Sequence, residues 1–249
     1  MKIVVCISHV PDTATRIKVG SDGKTIDPAG VTYIINPYDE YAVEEALKMK
    51  EKSLADEVIV ITLGSESSKE TIRKALAMGA DRGILLKDDS PRDSFGVAKA
   101  LSEEIKTLGA HLVFMGKQSV DYDNSIVGQM TAELLDYDCI PVCVMLEISG
   151  NKIIAEREIE GGREVVEASL PAIITCQKGL NEPRYASLKG IMAAKKKPID
   201  EKVAAPYTPI SEIISMHLPA GKQLGRIVGS DATAVPELIR LLKEEAKVI

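Results

Sequence analysis

Tryptophan is absent and only two phenylalanines and seven tyrosines occur among 249 residues, so the chain lacks the aromatic platforms on which single-stranded nucleic acids stack. A formal charge of −6 points the same way, and no nucleic acid is expected as a main partner. Histidine is scarce: His9, His111 and His217 are scattered without ligand spacing, and no metal site is expected. The four cysteines, Cys6, Cys139, Cys143 and Cys176, lie inside apolar runs and make no CxxC pair, as buried thiols in a reducing compartment do. No apolar run nears the roughly 20 residues of a spanning helix, so no direct membrane insertion is expected. Met1-Lys2-Ile3-Val4-Val5 enters a strand at once and leaves no signal peptide, which makes a cytoplasmic protein the simplest expectation. GxSxG, HExxH and a GxGxxG after the first strand are all missing, and no catalytic residue is assigned.

What is present is strand-like runs alternating with helical periodicity, the pattern of a parallel sheet covered on both faces. Continuously apolar strands are read at Lys2–Ile7, Glu57–Leu63, Gly83–Leu86 and His111–Met115. Helices are read at Asp39–Lys52, Ser67–Met78, Phe95–Leu108 and Ser125–Leu135. After Pro141 the pattern becomes strands joined by turns: Val142–Ile148, Ile153–Ile159, Arg163–Ala168 and Ala172–Cys176, with antiparallel pairing through Ser149-Gly150-Asn151 and Gly161-Gly162. The fold class expected is α/β, a doubly wound parallel sheet of the adenine-nucleotide-binding, Rossmann-like type, with an added antiparallel portion and an extended C-terminal arm. Arg16–Ile26 reads as a small hairpin, and its Gly23-Lys24-Thr25 is a turn, since a P-loop needs GxxxxGK[ST] before a long helix.

In such a sheet, ligands bind outside the carboxyl ends of the strands. Three loops converge there: Ser8 to Thr13, Gly64-Ser65, and Gly116 to Ser125. The last is the sharpest, because polar side chains crowd a turn that opens a helix through Gly128, Gln129 and Thr131, where free amides and the positive helix end suit a phosphate. Capping by Asp123, Asn124 or Ser125 is the plainer alternative. Phosphate contact is assigned to backbone amides, Asn124, Gln129 and Thr131. Asp121 or Asp123 is left for capping or a ribose hydroxyl, with a magnesium ion as the other way to reconcile the charges. Asn36-Pro37-Tyr38-Asp39 forms a similar corner at the same end of the sheet.

Asn181 to Asp200, NEPRYASLKGIMAAKKKPID, fits neither a core strand nor an amphipathic helix, and it is read as an exposed arm. Its Arg184, Tyr185, Leu188, Ile191 and Met192 suit a partner surface. Val235–Lys247 reads as a final helix with Val235, Leu238, Ile239 and Leu242 in one stripe, open to core packing or to a partner. The rest of the tail has no visible core of its own.

GKQSVDYDNSIVGQMTAELLD, ETIRKALAMGADRG, EREIEGG and NEPRYASLKGIMAAKKKPI resemble, in order and across the chain, the beta (small) subunit of electron transfer flavoproteins. The resemblance implies a non-catalytic electron carrier: a heterodimer whose alpha subunit holds most of an FAD while this subunit holds a structural AMP. It also implies electrons taken from acyl-CoA or other flavin dehydrogenases, as in fatty acid oxidation, and passed to a quinone oxidoreductase. Carried over by position, the AMP contacts fall on Cys6, on Asn36, Pro37, Tyr38 and Asp39, near Leu63 and Gly64, and on Asp121, Tyr122, Asp123, Asn124, Ser125, Ile126, Val127, Gly128, Gln129, Met130, Thr131 and Ala132. Leu188 matches the leucine that anchors the family's recognition loop in a dehydrogenase pocket, with Tyr185 and Ile191 in support. Burying one such leucine is worth ~2 kcal/mol, which suits a brief encounter. Glu158 matches an acidic residue that meets an arginine of the mobile flavin domain. Residues 1–187 are thereby expected to form the nucleotide-binding domain, and residues 188–249 an arm with the recognition loop and a partner-wrapping helix. Thr13 stands where some members place an aromatic near the flavin, and Ala193 replaces a basic-arm lysine. Bifurcating members, which carry a second FAD in the crevice, read like GDTAQVGP where this chain has Tyr122 to Gln129; they are the alternative to AMP.

Overall fold

The computed structural model describes residues 1–221 and 224–249. Its strands are β1 (Lys2–Cys6), β2 (His9–Pro11), β3 (Tyr33–Ile35), β4 (Glu57–Gly64), β5 (Arg82–Lys87), β6 (Leu112–Gly116), β7 (Asp138–Ser149), β8 (Lys152–Ile159), β9 (Gly162–Ser169), β10 (Ala172–Cys176) and β11 (Ile199–Val203). The helices are α1 (Pro37–Glu51), α2 (Lys69–Met78), α3 (Ser94–Leu108), α4 (Val127–Leu135), α5 (Leu188–Ala194) and α6 (Val235–Glu244). One sheet of nine strands runs β11-β5-β4-β1-β6-β10-β7-β8-β9, while β2 and β3 pair separately. Pairing is parallel from β11 through β7 and antiparallel across β7-β8-β9. The doubly wound α/β reading with an antiparallel portion is what the structure has.

Alternation along the strands divides the core. Ile3, Val5, Val58, Val60 and Phe114 point to one face, under Ala42, Val43, Ala46 and Leu47 of α1 and Ile72 and Leu76 of α2. Val4, Cys6, Ile59, Ile61 and Val113 point to the other, under Leu101 and Ile105 of α3 and Ala132 of α4. Each fully buried aliphatic or aromatic side chain contributes about 1.5–3 kcal/mol, so the central strands are the fixed frame on which the loops sit.

Several segments differ from the sequence reading. His9–Pro11, read as part of a loop, pairs antiparallel with Tyr33–Ile35 as β2 and β3. Arg16–Ile26 closes with a single bridge, Val19 to Ile26, not a hairpin. The Asp22 carboxylate accepts the Lys24 and Thr25 amides and thus holds the Gly-Lys-Thr turn shut. In the arm, Ser187 caps α5 by accepting from the Gly190 amide at 3.0 Å. Beyond it, Ile199–Val203 adds to the main sheet in parallel beside β5. A division between residues 187 and 188 therefore leaves a strand of the second part inside the sheet. That strand was illegible because only Ile199 has a partly buried side chain; at a sheet edge, backbone pairing needs no apolar run.

Candidate functional site

Because β1, β4 and β6 are adjacent and parallel, their carboxyl ends lie together, and two buried side chains of the α1 corner tie the loops that leave them. Asp39 accepts the Ser8 amide at 2.6 Å and the Gly116 amide at 2.9 Å, which joins the ends of β1 and β6. Fully buried Asn36 donates from Nδ2 to the Gln118 carbonyl at 2.8 Å and accepts the Val120 amide at 3.1 Å. Pro37 follows at the start of α1, where its missing amide costs nothing. Gly116 has no space for a side chain: a Cβ there would lie 2.3 Å from Asp39 Oδ1 and 2.9 Å from its backbone nitrogen.

Burial pushes the Asp39 carboxyl up to about 7, against the Asn36, Ser8 and Gly116 hydrogen bonds that favour the charged form; Asp121 adds a smaller upward push. Cys6, enclosed at the end of β1, has its thiol raised by burial and then by Asp39, which makes it an inert wall. The Lys117 ammonium sits 5.0 Å from the Tyr38 ring centroid.

Beyond Gly116 the loop is held by its own side chains. Gln118 donates to Asp123, Ser125 donates to Gln118 Oε1 at 3.0 Å, and Asn124 donates to Ser94 Oγ at 3.0 Å. Asp123 and Ser125 adopt left-handed backbone, both at φ 57°. Asp121 accepts the Tyr122 amide, and Tyr122 is exposed. The alternative reading, capping by Asp123, Asn124 or Ser125, does not occur: α4 begins after Ile126 with no side-chain cap. Gln129 donates to the Ser125 carbonyl, while its Oε1 is buried without a partner.

The rest of the expected stretch points elsewhere. Thr131 is fully buried and donates to the Val127 carbonyl at 2.7 Å, so its hydroxyl is turned away from the loop. Ala132 and Val127 pack in the core under α4, and Gly128 lies so close to β10 that a Cβ would stand 2.4 Å from Thr175 Cγ2. The Met130 amide bonds the Ile126 carbonyl. Leu63 packs against the same core, and a Cβ on Gly64 would meet Ser68 Oγ at 2.6 Å.

Glu158 lies near the α1 corner. With Pro37, Tyr38, Tyr41, Gln177 and Lys178 it lines an open cavity of about 450 Å³, and Gln177 donates to it at 3.0 Å. Gln177 and Lys178 were not read from the sequence, although both follow the carboxyl end of β10 and so share the crevice's end of the sheet. On the arm, Tyr185 is 99% exposed, Leu188 83% and Ile191 45%. Arg184 is not offered to a partner: it turns inward onto Glu44 and Glu51 of α1. Lys197 likewise donates to the Leu76 and Ala80 carbonyls at the end of α2. Among the described residues, no cluster of three or more His, Cys, Asp or Glu is arranged for a metal. No helix among them is long and apolar enough to cross a membrane.

The electron transfer flavoprotein domain matches residues 24–207. The electron transfer flavoprotein subunit beta of Syntrophomonas wolfei is 42% identical over 249 residues, covering 100% of this chain and 98% of that protein. The chain belongs to the beta-subunit family of electron transfer flavoproteins. The subunit beta of Bradyrhizobium diazoefficiens is likewise 42% identical over 253 residues, covering 100% of both chains. The human subunit is 37% identical over 256 residues, covering 100% of this chain and 99% of that one. Membership implies flavin-linked electron transfer and an alpha-subunit partner, a carrier's role in place of a catalyst's.

Proposed function

We propose that this chain seats an AMP at the carboxyl ends of β1, β4 and β6 as a structural ligand. On this reading it docks acyl-CoA or other flavin dehydrogenases through its arm, so that an FAD held mainly by the alpha subunit shuttles their electrons to a quinone oxidoreductase. One observation carries the nucleotide part: the uncapped start of α4 coincides with a buried, unpartnered oxygen on Gln129. The oxygen is the discriminating half, since α1, α2 and α6 also begin without a side-chain cap, whereas a buried side-chain oxygen with no partner calls for a group to meet it. The amides of Val127, Gly128 and Gln129 would hold the phosphate, with Asn124 beside them and Asp121 or Asp123 toward the ribose. Tyr122 and Ile126 are exposed beside it and would cover the adenine.

The flavin, when bound, supplies reversible electron storage. The residues of this chain position and shield: Asn36 and Asp39 hold the crevice loops, Tyr38 and Glu158 face one cavity, and Glu158 offers a carboxylate to a cation of the flavin domain. Leu188, with Tyr185 and Ile191, offers the apolar tip that a dehydrogenase pocket would take.

Coexpression with the alpha subunit, acid release and mass identification of the bound small molecules test this. One FAD and one AMP per heterodimer are expected. Two flavins would replace AMP with the second FAD of a bifurcating subunit, and an assembly free of mononucleotide would end the proposal.

A further inference from the structure

The exposed tip of the arm is held by an unusually dense set of polar contacts at its base. Arg184 donates from Nε and Nη2 to the two oxygens of Glu44 at 2.7 and 2.9 Å, and from Nη1 and Nη2 to the two oxygens of Glu51 at 2.5 and 3.1 Å. Its backbone amide also donates to Glu44 at 3.2 Å, which fixes the main chain as well as the side chain. The Glu44 side chain is only 7% exposed. Three residues earlier, Asn181 Nδ2 bonds the Tyr41 carbonyl at 3.0 Å and Glu45 at 2.9 Å. At the far end Arg73 of α2 donates to the carbonyls of Ala194 and Lys197 at 2.6 and 2.5 Å, and Gly190 lies so near α2 that a Cβ would be 2.3 Å from the Ala77 carbonyl oxygen. The arm is therefore a span between α1 and α2, and Tyr185 and Leu188 sit immediately past its first anchor.

Among the described residues, the bonds that Glu44 and Glu51 make to the arm all go to Arg184 and none to Tyr185 or Leu188, so they serve conformation and not recognition. We infer that Arg184, clamped by Glu44 and Glu51, is a positioning residue that holds the docking arm in its binding-ready shape before a dehydrogenase arrives. The inference rests on the docking role proposed for Leu188. The physical reason is entropic: a tip already ordered loses less freedom on association, and the saving appears as affinity. A planar guanidinium with four bonds to two carboxylates does this where a lysine's point charge cannot.

The test uses the intact heterodimer with Arg184→Gln, Arg184→Lys and the milder Glu51→Gln, which leaves no buried carboxylate unpaired. Amide hydrogen exchange of residues 185–192 is expected to accelerate about tenfold or more in Arg184→Gln and less in the other two, while β1 is unaffected. With an acyl-CoA dehydrogenase as reductant, KM for the heterodimer should rise about tenfold at unchanged kcat. The increment should shrink in a Leu188→Ala background, because both changes act on one tip. Unchanged exchange in Arg184→Gln overturns the inference, as does loss of flavin or of the heterodimer in Glu51→Gln. If Leu188→Ala leaves KM at its wild-type value, the docking role itself falls, while the exchange result still decides whether Arg184 orders the arm.

Discussion

At Gly116 the backbone of β6 passes the first turn of α1 with no room for a methyl group, since two of the atoms it would meet belong to Asp39, one of them backbone. Gly116→Ala should therefore cost about 1–3 kcal/mol by overpacking, read as a lower denaturant midpoint. Asp39→Asn keeps the shape but offers one acceptor to the two amides of Ser8 and Gly116. Its cost should depend on pH. Burial raises the Asp39 carboxyl from an ordinary 3.8 to about 7, so across that window the folded chain holds a proton that the unfolded chain has released. This group's contribution to stability is thus greatest below the window and falls as pH rises through it. The stability gap between wild type and Asp39→Asn should narrow between pH 5 and pH 8, and a widening gap in parallel melts would contradict the assignment. At the tip, Leu188→Ala removes up to ~2 kcal/mol of docking energy, a loss of roughly thirtyfold in KM for the reductant, with flavin content unchanged.

Helix α4 is set by one contact that sequence pattern does not report. Gly128 lets it close on Thr175 of β10, so Gly128→Glu would act through displaced packing as well as through charge. Gln129→Leu is the cleaner probe of the crevice. It removes a buried oxygen that has no partner together with the Nε2 bond to the Ser125 carbonyl, so stability should fall by about 0.5–1.5 kcal/mol while nucleotide retention is lost. Retained nucleotide in acid extracts would move the site elsewhere. Helix α6 leaves its apolar stripe outside the core of this chain: Val235, Leu238 and Ile239 are 48%, 43% and 49% exposed, and Leu242 is half-buried. Leu238→Asp should leave the melting of the lone subunit unchanged and reduce recovery of the alpha subunit in copurification. The tail leading to α6 is fastened by Asp93, which caps α3 and also accepts from Tyr207 Oη at 2.9 Å and from the amides of Ile210 and Ser211.

For the molecule as a whole, the alternation of apolar strands and periodic helices was enough to read the doubly wound sheet, and the polar loop after β6 marked the end of the sheet at which we propose the nucleotide binds. Both are local signals: burial on two faces makes a strand continuously apolar, and a helix that covers a sheet repeats its apolar residues at three and four. The Asn36 and Asp39 corner was legible as a place on the same edge, because parallel strands bring their carboxyl ends together. The division of labour within the loop was not. That Asn36 clamps the loop, that Thr131 and Gly128 turn inward while Gln129 keeps a free oxygen, and that Gln177 meets Glu158 depend on which side chains share a volume, and the order of residues does not encode this directly. The residues by themselves determined the architecture and the arm's existence. Only the tertiary structure decided that the arm is anchored, that Ile199–Val203 completes the sheet and that Arg184 faces inward, because its carboxylate partner on α1 lies 140 positions away and such a pairing leaves no periodic trace in the chain.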